Sequence, residues 1–162
     1  MRILKWLGGI VLVIAMLIAG LFFGARLNDG PIAMFPGGPL ESGDLVREPI
    51  ADWSFAADVE TIEMQLVADG NRSRTTWILV SDAAAFIPVT LGFPPGKSWH
   101  LLAAERGAAV VRVEAKRYPV TLVRIEDLGL LQKLGAANSA KYPPAPGSSS
   151  GVAYFRLDPR PL

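Results

Sequence analysis

The sequence predicts a single membrane-spanning helix followed by a small, mainly β domain that forms a closed barrel with two helices. Two observations predict this architecture. An uncharged apolar run occupies residues 6–25, and the chain after residue 50 alternates strand patterns with turn signals in the order ββ-β-α-ββ-α-β. So many short strands favour a closed barrel over an open sheet, because closure leaves no unpaired strand edge.

The apolar run, "WLGGIVLVIAMLIAGLFFGA", is long enough to cross a bilayer. A helix of this length, at about 1.5 Å per residue, spans roughly 30 Å, the thickness of the hydrocarbon core. A cleaved signal peptide is the alternative, but its apolar region is usually shorter, roughly 7–15 residues. Cleavage after Ala25 or Gly20 would also place Phe23 or Ile18 where a small residue is required. We therefore expect residues 1–26 to be a retained transmembrane anchor.

The charges on either side of the apolar run predict its orientation. Arg2 and Lys5 precede it, whereas Arg26 and Asp29 nearly cancel after it. Because positive charge stays on the cytoplasmic side, we expect the N-terminus in the cytoplasm and the rest of the chain outside it. In a Gram-negative bacterium, this places the anchor in the inner membrane and the C-terminal domain in the periplasm.

Two features of the N-terminal part predict a partner in the membrane. Ala15 and Ala19 lie four residues apart, as do Gly20 and Gly24, and this spacing lets another helix approach closely. Both residue types are also common in membrane helices generally, which is the alternative explanation. Residues 27–50 contain four prolines and no sustained periodicity, which is typical of an irregular juxtamembrane linker. We expect the chain to join a membrane protein complex through the anchor helix and this linker.

Residues 51–162 carry the patterns of the β domain. The predicted strands are residues 59–67, 73–80, 84–91, 108–115, 118–125 and 152–157; the predicted helices are residues 96–107 and 127–141, and a loop is predicted at 143–151. Strict alternation of apolar and polar side chains predicts the first strand. Pro88 predicts an edge or bulge position in the third, because proline cannot donate a hydrogen bond to a neighbouring strand. Asp127 is the predicted N-cap of the second helix.

The composition excludes several functions. The chain has no cysteine and one histidine, His100, which excludes thiol chemistry, disulfides and a Cys- or His-rich metal site, so we expect no bound metal. Nucleic acid is not expected as a partner, because the basic residues are scattered. Residues 27–70 hold nine acidic residues against one basic, and residues 71–162 hold twelve basic against six acidic. Either the two parts neutralise each other in the fold, or the second presents a basic face to an anionic ligand.

Residues 91–102, "LGFPPGKSWHLL", contain the Gly-Lys-Ser of a phosphate-binding P-loop without its spacing. The first glycine of that motif would stand at position 91, where this chain has a leucine. Pro94 and Pro95 also lack the N–H groups that would surround a phosphate. The segment is therefore not a P-loop, and Lys97 and Ser98 need another explanation.

The stretches "DWSFAADVETIEMQLVADG", "RTTWILVSDAAAFIPV", "GKSWHLLAAERGAAVVRVEAKRYPVTLVRIED" and "YFRLDPR" resemble, in order and spacing, a known superfamily. This is the split β-barrel superfamily of flavin- and deazaflavin-binding proteins, which includes pyridoxamine-phosphate oxidases and deazaflavin-dependent nitroreductases. The resemblance covers roughly residues 52–158. It implies a split β-barrel that binds FMN or the deazaflavin F420 in a groove between two protomers, and hence a homodimer.

The resemblance also implies a set of cofactor-binding residues. Family members hold the cofactor phosphate with basic and hydroxyl side chains on the second and third strands and at the start of the helix that follows. The positions here that correspond are Arg72, Arg74, Thr76, Lys97 and Ser98. Trp77 and Trp99 are expected to pack in the core or at an interface, and the alternative is that either ring stacks on the cofactor. Lys97 and Ser98 would then attract an anion as a cation and a hydroxyl at a helix N-terminus.

Two departures from the family pattern favour a role without catalysis. Leu101 stands where the deazaflavin enzymes carry an amide, and the glycine-rich turn before the second strand is reduced to "DGNRSR". We therefore expect a non-catalytic accessory or assembly subunit of a larger membrane complex, facing outward and without a bound cofactor. The alternative is a membrane-tethered oxidoreductase that uses FMN or F420, in which the cofactor does the chemistry. The sequence leaves open whether the protein is an enzyme.

Overall fold

The computed structural model describes residues 2–33, 35–70, 72–92, 94–142 and 151–161. Its first element, helix α1 (Arg2–Leu27), extends the predicted apolar run by a few residues at each end. By length and composition, the stretch Trp6–Leu27 is able to cross a membrane, and its most apolar part is not buried against the rest of the chain. Signal sequences near an N-terminus can meet the same criteria of length and composition, so the retained anchor stays a prediction.

The β domain follows the predicted order of elements and adds two short ones. The strands are β1 (Asp44–Leu45), β2 (Thr61–Leu66), β3 (Ser73–Trp77), β4 (Leu79–Ser81), β5 (Ala84–Thr90), β6 (Ala108–Val113), β7 (Lys116–Arg124) and β8 (Val152–Pro159). The helices are α2 (Trp99–Glu105) and α3 (Leu128–Lys141), and Ser54–Ala56 form a 3-10 turn. The sequence missed β1 and the 3-10 turn because elements this short carry no periodicity. The small, mainly β domain with two helices is confirmed; most of the predicted loop at 143–151 lies outside the described residues.

The strands form one eight-stranded sheet in the order β3-β2-β6-β7-β8-β5-β4, with β1 paired in parallel to β7 and all other pairs antiparallel. The two strands at the ends of this order, β3 and β4, are consecutive in the chain and separated only by Ile78. The prediction of one continuous strand at 73–80 is therefore wrong. The chain bends at Ile78, so that its first half pairs with β2 and its second half with β5.

The bend at Ile78 keeps its backbone groups hydrogen-bonded. The Ile78 N–H donates to the Glu60 carbonyl at 3.2 Å, and the Ile78 carbonyl accepts from the Lys141 amine at 3.2 Å and from the Tyr142 hydroxyl. The Ile78 residue is fully buried. An unsatisfied backbone group at such a position costs about 1–3 kcal/mol, so the end of α3 stabilises the bend.

Pro88 lies beside a gap in the sheet. β4 pairs with β5 only as far as Phe86, so the rest of β5 has β8 on one side and, within the described residues, no paired strand on the other. The Leu91 N–H donates to the Gly151 carbonyl at 2.9 Å, on the side of β8. Because alternate residues of a strand bond to opposite sides, the Pro88 nitrogen faces the gap. The predicted edge position of Pro88 is confirmed.

Hydrophobic packing follows the predicted periodicity. Ile62, Met64 and Leu66 alternate along β2, and each is at most 2% exposed. They belong to the main core cluster, which also takes residues from β5 to β8 and from α2. A second cluster around Leu134 packs α3 against β4, β5 and β8. Asp127 caps α3 as predicted, because its carboxylate accepts a backbone N–H of the first turn at 2.7 Å.

The predicted linker, residues 27–50, is mostly irregular but lies on the sheet of its own chain. Leu40 is buried, and β1 pairs with the first residues of β7. Arg117 donates to the carbonyls of Leu40 and Gly43 at 3.0 and 3.1 Å. Gly43 has a φ of +91°, and a Cβ there would lie 2.3 Å from the Ala115 carbonyl oxygen, so no other residue fits.

A second set of linker contacts centres on Arg112 of β6. Its guanidinium bonds the carboxylate of Asp29 at 2.9 Å, the carboxylate of Glu63 on β2, and the hydroxyl of Ser42 at 2.8 Å. Burial alone would raise the pKa of Asp29, but hydrogen bonds from Ser42, from the Glu41 N–H and from Arg112 hold it well below its usual range. Around Arg112, acidic residues of the segment 27–70 are therefore neutralised by a basic residue of the segment 71–162.

Candidate functional site

A groove opens at the gap between β3 and β5. It consists of two adjoining cavities of about 370 and 590 Å³, which share Thr75, Pro94, Lys97 and Trp99 as lining residues. Small-molecule sites commonly have volumes of roughly 300–1,000 Å³. The gap exists because the strand that bends at Ile78 moves from β2 to β5 and leaves the second half of β5 unpaired on this side.

The structure brings all six candidate cofactor-binding residues to this groove. They are Thr76 in the smaller cavity, Arg72, Arg74 and Ser98 in the larger one, and Lys97 and Trp99 in both. The first three residues in chain order precede or lie on β3, and the last three lie at the start of α2. The two groups are distant in sequence and become neighbours only in the folded domain. Their role in binding a cofactor stays a prediction.

Arg74 is largely buried, with a side chain that is 16% exposed. It forms an ion pair with Asp69, and its guanidinium carbon lies 5.3 Å from the centroid of the Trp99 ring, a cation–π distance. Burial lowers the pKa of Arg74, the Asp69 carboxylate opposes this effect, and the positive charge of Arg72 adds to it. The Arg74 Nε atom is buried without a hydrogen-bond partner in the described chain, which an anionic ligand group would supply.

Lys97 and Ser98 add a second cation and a hydroxyl group. The Lys97 amine donates to the carbonyl of Thr90, which lies on the gap side of β5, and burial lowers the pKa of Lys97. Ser98 is the N-cap residue of α2, but its side chain makes no capping hydrogen bond. The hydroxyl is therefore free to bond a ligand at the edge of the larger cavity.

The groove carries excess positive charge. Arg72, Arg74 and Lys97 line it, and Asp69 is the one carboxylate among its described lining residues. Asp69 is bonded to Arg74, whereas Arg72 is exposed and forms no ion pair with any described residue. Three cations against one carboxylate favour an anionic ligand.

The smaller cavity adds hydroxyl groups and an aromatic face. Thr61, Thr75, Thr76 and Trp77 line it. The Trp77 residue is 36% exposed, and its ring stacks on Tyr142 with centroids 5.0 Å apart and planes at 13°. Such a surface suits a ligand part that is planar, or that is sugar-like with an apolar face and several hydroxyl groups.

Sequence reasoning missed several residues that line the groove, among them Asp69, Thr61 and Pro36. Asp69 stands in a predicted turn, where an acidic residue indicates only the turn itself. Thr61 reaches the groove through the pairing of β2 with β3, and Pro36 through the docking of the linker, so neither has a local signal. Together these groups can bind and orient an anion. No group of three His, Asp or Glu residues in the described ranges is placed to hold a metal ion.

Comparisons with known proteins give similarities to solved structures alone. No protein-family profile and no curated protein matches the chain. Among solved structures, the chain is similar to a general stress protein 26 from Jannaschia sp. CCS1, with 17% sequence identity and a TM-score of 0.49. The similarity covers 67% of this chain and 71% of that chain.

Proposed function

We propose that this chain is a membrane-anchored, outward-facing split-barrel protein that acts as a non-catalytic binding subunit of a larger membrane complex. Its groove would hold a phosphate-bearing ligand. The observation that carries the proposal is the positive charge of the groove, where Arg72 forms no ion pair within the described chain and the buried Arg74 Nε has no partner.

The groups in the larger cavity favour phosphate over a carboxylate. Arg72, Arg74 and Lys97 supply cations, and Ser98 supplies a hydroxyl, around one cavity. A phosphate offers several acceptor oxygens around one centre, so it can use more than one of these donors at once. The two oxygens of a carboxylate lie in one plane and reach fewer of them.

The split barrel is supported by the path of the bent strand. β3 and β4 occupy opposite ends of the sheet order, and Ile78 joins them. A sheet whose first and last strands are one continuous segment of chain has the connectivity of a closed barrel. The gap at Pro88 would then be the split, and the groove would lie along it.

The membrane role is supported by α1 and by the way its end is attached. The linker is bonded to the sheet by Arg112 and Arg117, so the domain is not carried on a loose tether. On the exposed face of α1, Gly9 leaves a shallow depression between Trp6 and Val13. A helix of another chain could pack closely there, which is a different place from the predicted notches further along the helix.

A membrane-tethered oxidoreductase is the second candidate, favoured by the aromatic rings beside the cations. FMN or F420 would fit this donor set: Arg72, Lys97 and Ser98 would hold the phosphate, and Trp77 or Trp99 would lie beside the ring. A bound cofactor would supply electron or hydride transfer. The chain's own residues would bind and orient it.

Purification from native membranes separates the two candidates. The full-length protein would be extracted from its own host in mild detergent, passed through size exclusion and scanned for visible absorption. The binding subunit is expected to be colourless and to migrate with larger partner chains. A bound flavin or deazaflavin would absorb visible light and favour the oxidoreductase. A lone, colourless monomer that carries no phosphate would contradict both.

A further inference from the structure

We infer that the groove takes its ligand from the membrane: an anionic lipid whose phosphate lies at Arg72 and whose hydroxyl-bearing head extends towards Thr76 and Trp77. This inference rests on the proposed function, in which the groove binds phosphate and α1 spans a membrane. It adds the chemical class of the ligand and the side from which it enters.

The end of α1 lies beside the first residue of β3. Ala25, near the end of α1, is buried, and the Asn28 carbonyl just after the helix accepts the Gly38 N–H at 3.0 Å. Gly37 and Ser73 exchange two backbone hydrogen bonds, of 3.0 and 3.3 Å. The Ser73 hydroxyl also donates to the Gly38 carbonyl at 2.6 Å. The linker thus connects the helix end directly to β3.

Glycine makes this connection as close as two backbones allow. A Cβ at Gly38 would lie 2.7 Å from the Asn28 carbonyl oxygen and 2.8 Å from that of Arg26. Separations below about 3 Å do not occur for real side chains, so the helix end and the linker are in direct backbone contact at this position. The domain is therefore held next to the membrane face at which α1 ends.

The cationic part of the groove begins at the same place. Pro36, in the linker, lines the larger cavity, and the Thr75 hydroxyl donates to the linker carbonyl of Ala33 at 3.1 Å. Arg72 directly precedes Ser73 in the chain. Along these bonds, only Gly38 and Ser73 separate the Arg72 backbone from the end of α1.

This short connection places the cationic end of the groove near the headgroup layer, which is roughly 5–8 Å thick on each side of a bilayer. The linker at this end exposes Ile32, which is 42% exposed, and Pro31 precedes it. Apolar groups beside a cation are typical of a surface that rests on the membrane interface.

The lining of the groove offers groups for each part of a lipid head. Cations and hydroxyl groups line both cavities beside apolar prolines and tryptophan rings, and covering these cations with an acyl chain would cost free energy. A phosphate at Arg72 would place the rest of the head near the hydroxyls of Thr75 and Thr76 and the ring of Trp77. We therefore expect a phospholipid whose head carries several hydroxyl groups.

Native mass spectrometry of the detergent-solubilised full-length protein tests this inference. It would be titrated with dioctanoyl phosphatidylinositol, dioctanoyl phosphatidylcholine, glycerophosphoinositol and inorganic phosphate. We expect phosphatidylinositol to bind at least about tenfold more tightly than each of the others. Arg72→Gln should weaken that binding about tenfold, the effect of one charge-assisted bond, and leave phosphatidylcholine unchanged. Lys133→Gln, on α3 and outside the groove lining, is the matched control and should change neither.

The outcomes separate this inference from the proposed function. If glycerophosphoinositol or inorganic phosphate binds as tightly as phosphatidylinositol, the groove takes phosphates from solution; the lipid inference is then lost and the proposed function stands. If phosphatidylinositol binds but Arg72→Gln behaves like Lys133→Gln, the lipid lies elsewhere and the inference is lost. If no phosphate compound binds, both are lost. Thermal melting of both variants checks that each is folded.

Discussion

Arg112→Met should destabilise the β domain and release the linker from its surface. The Arg112 guanidinium bonds the carboxylates of Asp29 and Glu63 and the hydroxyl of Ser42, so one side chain joins the linker to β2 and β6. Methionine keeps most of the apolar stem and removes the charge. The substitution therefore leaves two carboxylates close together without a cation between them.

The size of the effect follows from the exposure of these groups. A hydrogen bond to a charged group contributes about 1.5–3 kcal/mol, and breaking a buried ion pair costs about 3–5 kcal/mol. The Arg112 side chain is 11% exposed, but those of Asp29 and Glu63 are 34% and 30% exposed, so water screens the carboxylates that remain. We expect the free energy of unfolding to fall by about 2–4 kcal/mol. For a domain of this size, Tm would fall by about 6–15 °C.

Thermal unfolding and limited trypsin digestion measure the two consequences. Arg47 is the one basic residue between positions 27 and 70, so tryptic cleavage after it reports directly on the linker. Arg156→Met is the matched control. Among the described residues Arg156 bonds Asp158 alone, and the two side chains are 42% and 35% exposed, so the substitution should cost at most about 1 kcal/mol. An Arg112→Met protein with unchanged Tm and unchanged cleavage at Arg47 would refute this reasoning.

Three further predictions test the bend, the linker and the groove. Tyr142→Phe should lower the free energy of unfolding by about 1–2 kcal/mol, measured by urea denaturation, because the Ile78 carbonyl loses one donor; no change would mean that the bend does not need this bond. Burial would raise the pKa of Asp29, but the hydrogen bonds to its carboxylate outweigh burial, so the folded-state pKa lies below the unfolded value. The ionised carboxylate should therefore contribute fully to stability above about pH 4, and this contribution should be lost as the pH falls through the folded-state pKa. Asp29→Asn should flatten this part of the pH dependence in denaturation measurements, and an identical profile would contradict the assignment. Lys97→Ala combined with Arg74→Ala should abolish binding of a phosphate-bearing ligand, at about 1–3 kcal/mol per charge; a ligand retained in the double variant would place the site elsewhere.

The elements that the sequence predicted each have a local signal. The alternation of Ile62, Met64 and Leu66 predicts β2 because one face of the strand packs into the core. Asp127 predicts the start of α3 because a carboxylate at that position accepts a free N–H of the first turn. Pro88 predicts the unpaired side of β5, since proline has no N–H for a neighbouring strand.

The features that the sequence did not predict depend on contacts between distant residues. Ile78 has no turn signal, and the bend there is stabilised by Lys141 and Tyr142 at the far end of the domain. The linker has no periodicity, and its docking depends on Arg112 and Arg117 on other strands. The cations of the groove were found through the resemblance to a family. These cations lie in one groove because the sheet has a gap between β3 and β5, and no local sequence pattern indicates that gap.

Mass spectrometry of the small molecules that the native protein carries tests the role of the groove most directly. The full-length protein would be purified from its own membranes in mild detergent and denatured, and the released molecules would be identified beside those from the Lys97→Ala and Arg74→Ala double variant. We predict a phosphate-bearing molecule in stoichiometric amount in the wild type and none in the variant. A wild-type protein that releases no such molecule, or a variant that releases as much, would contradict the proposed function.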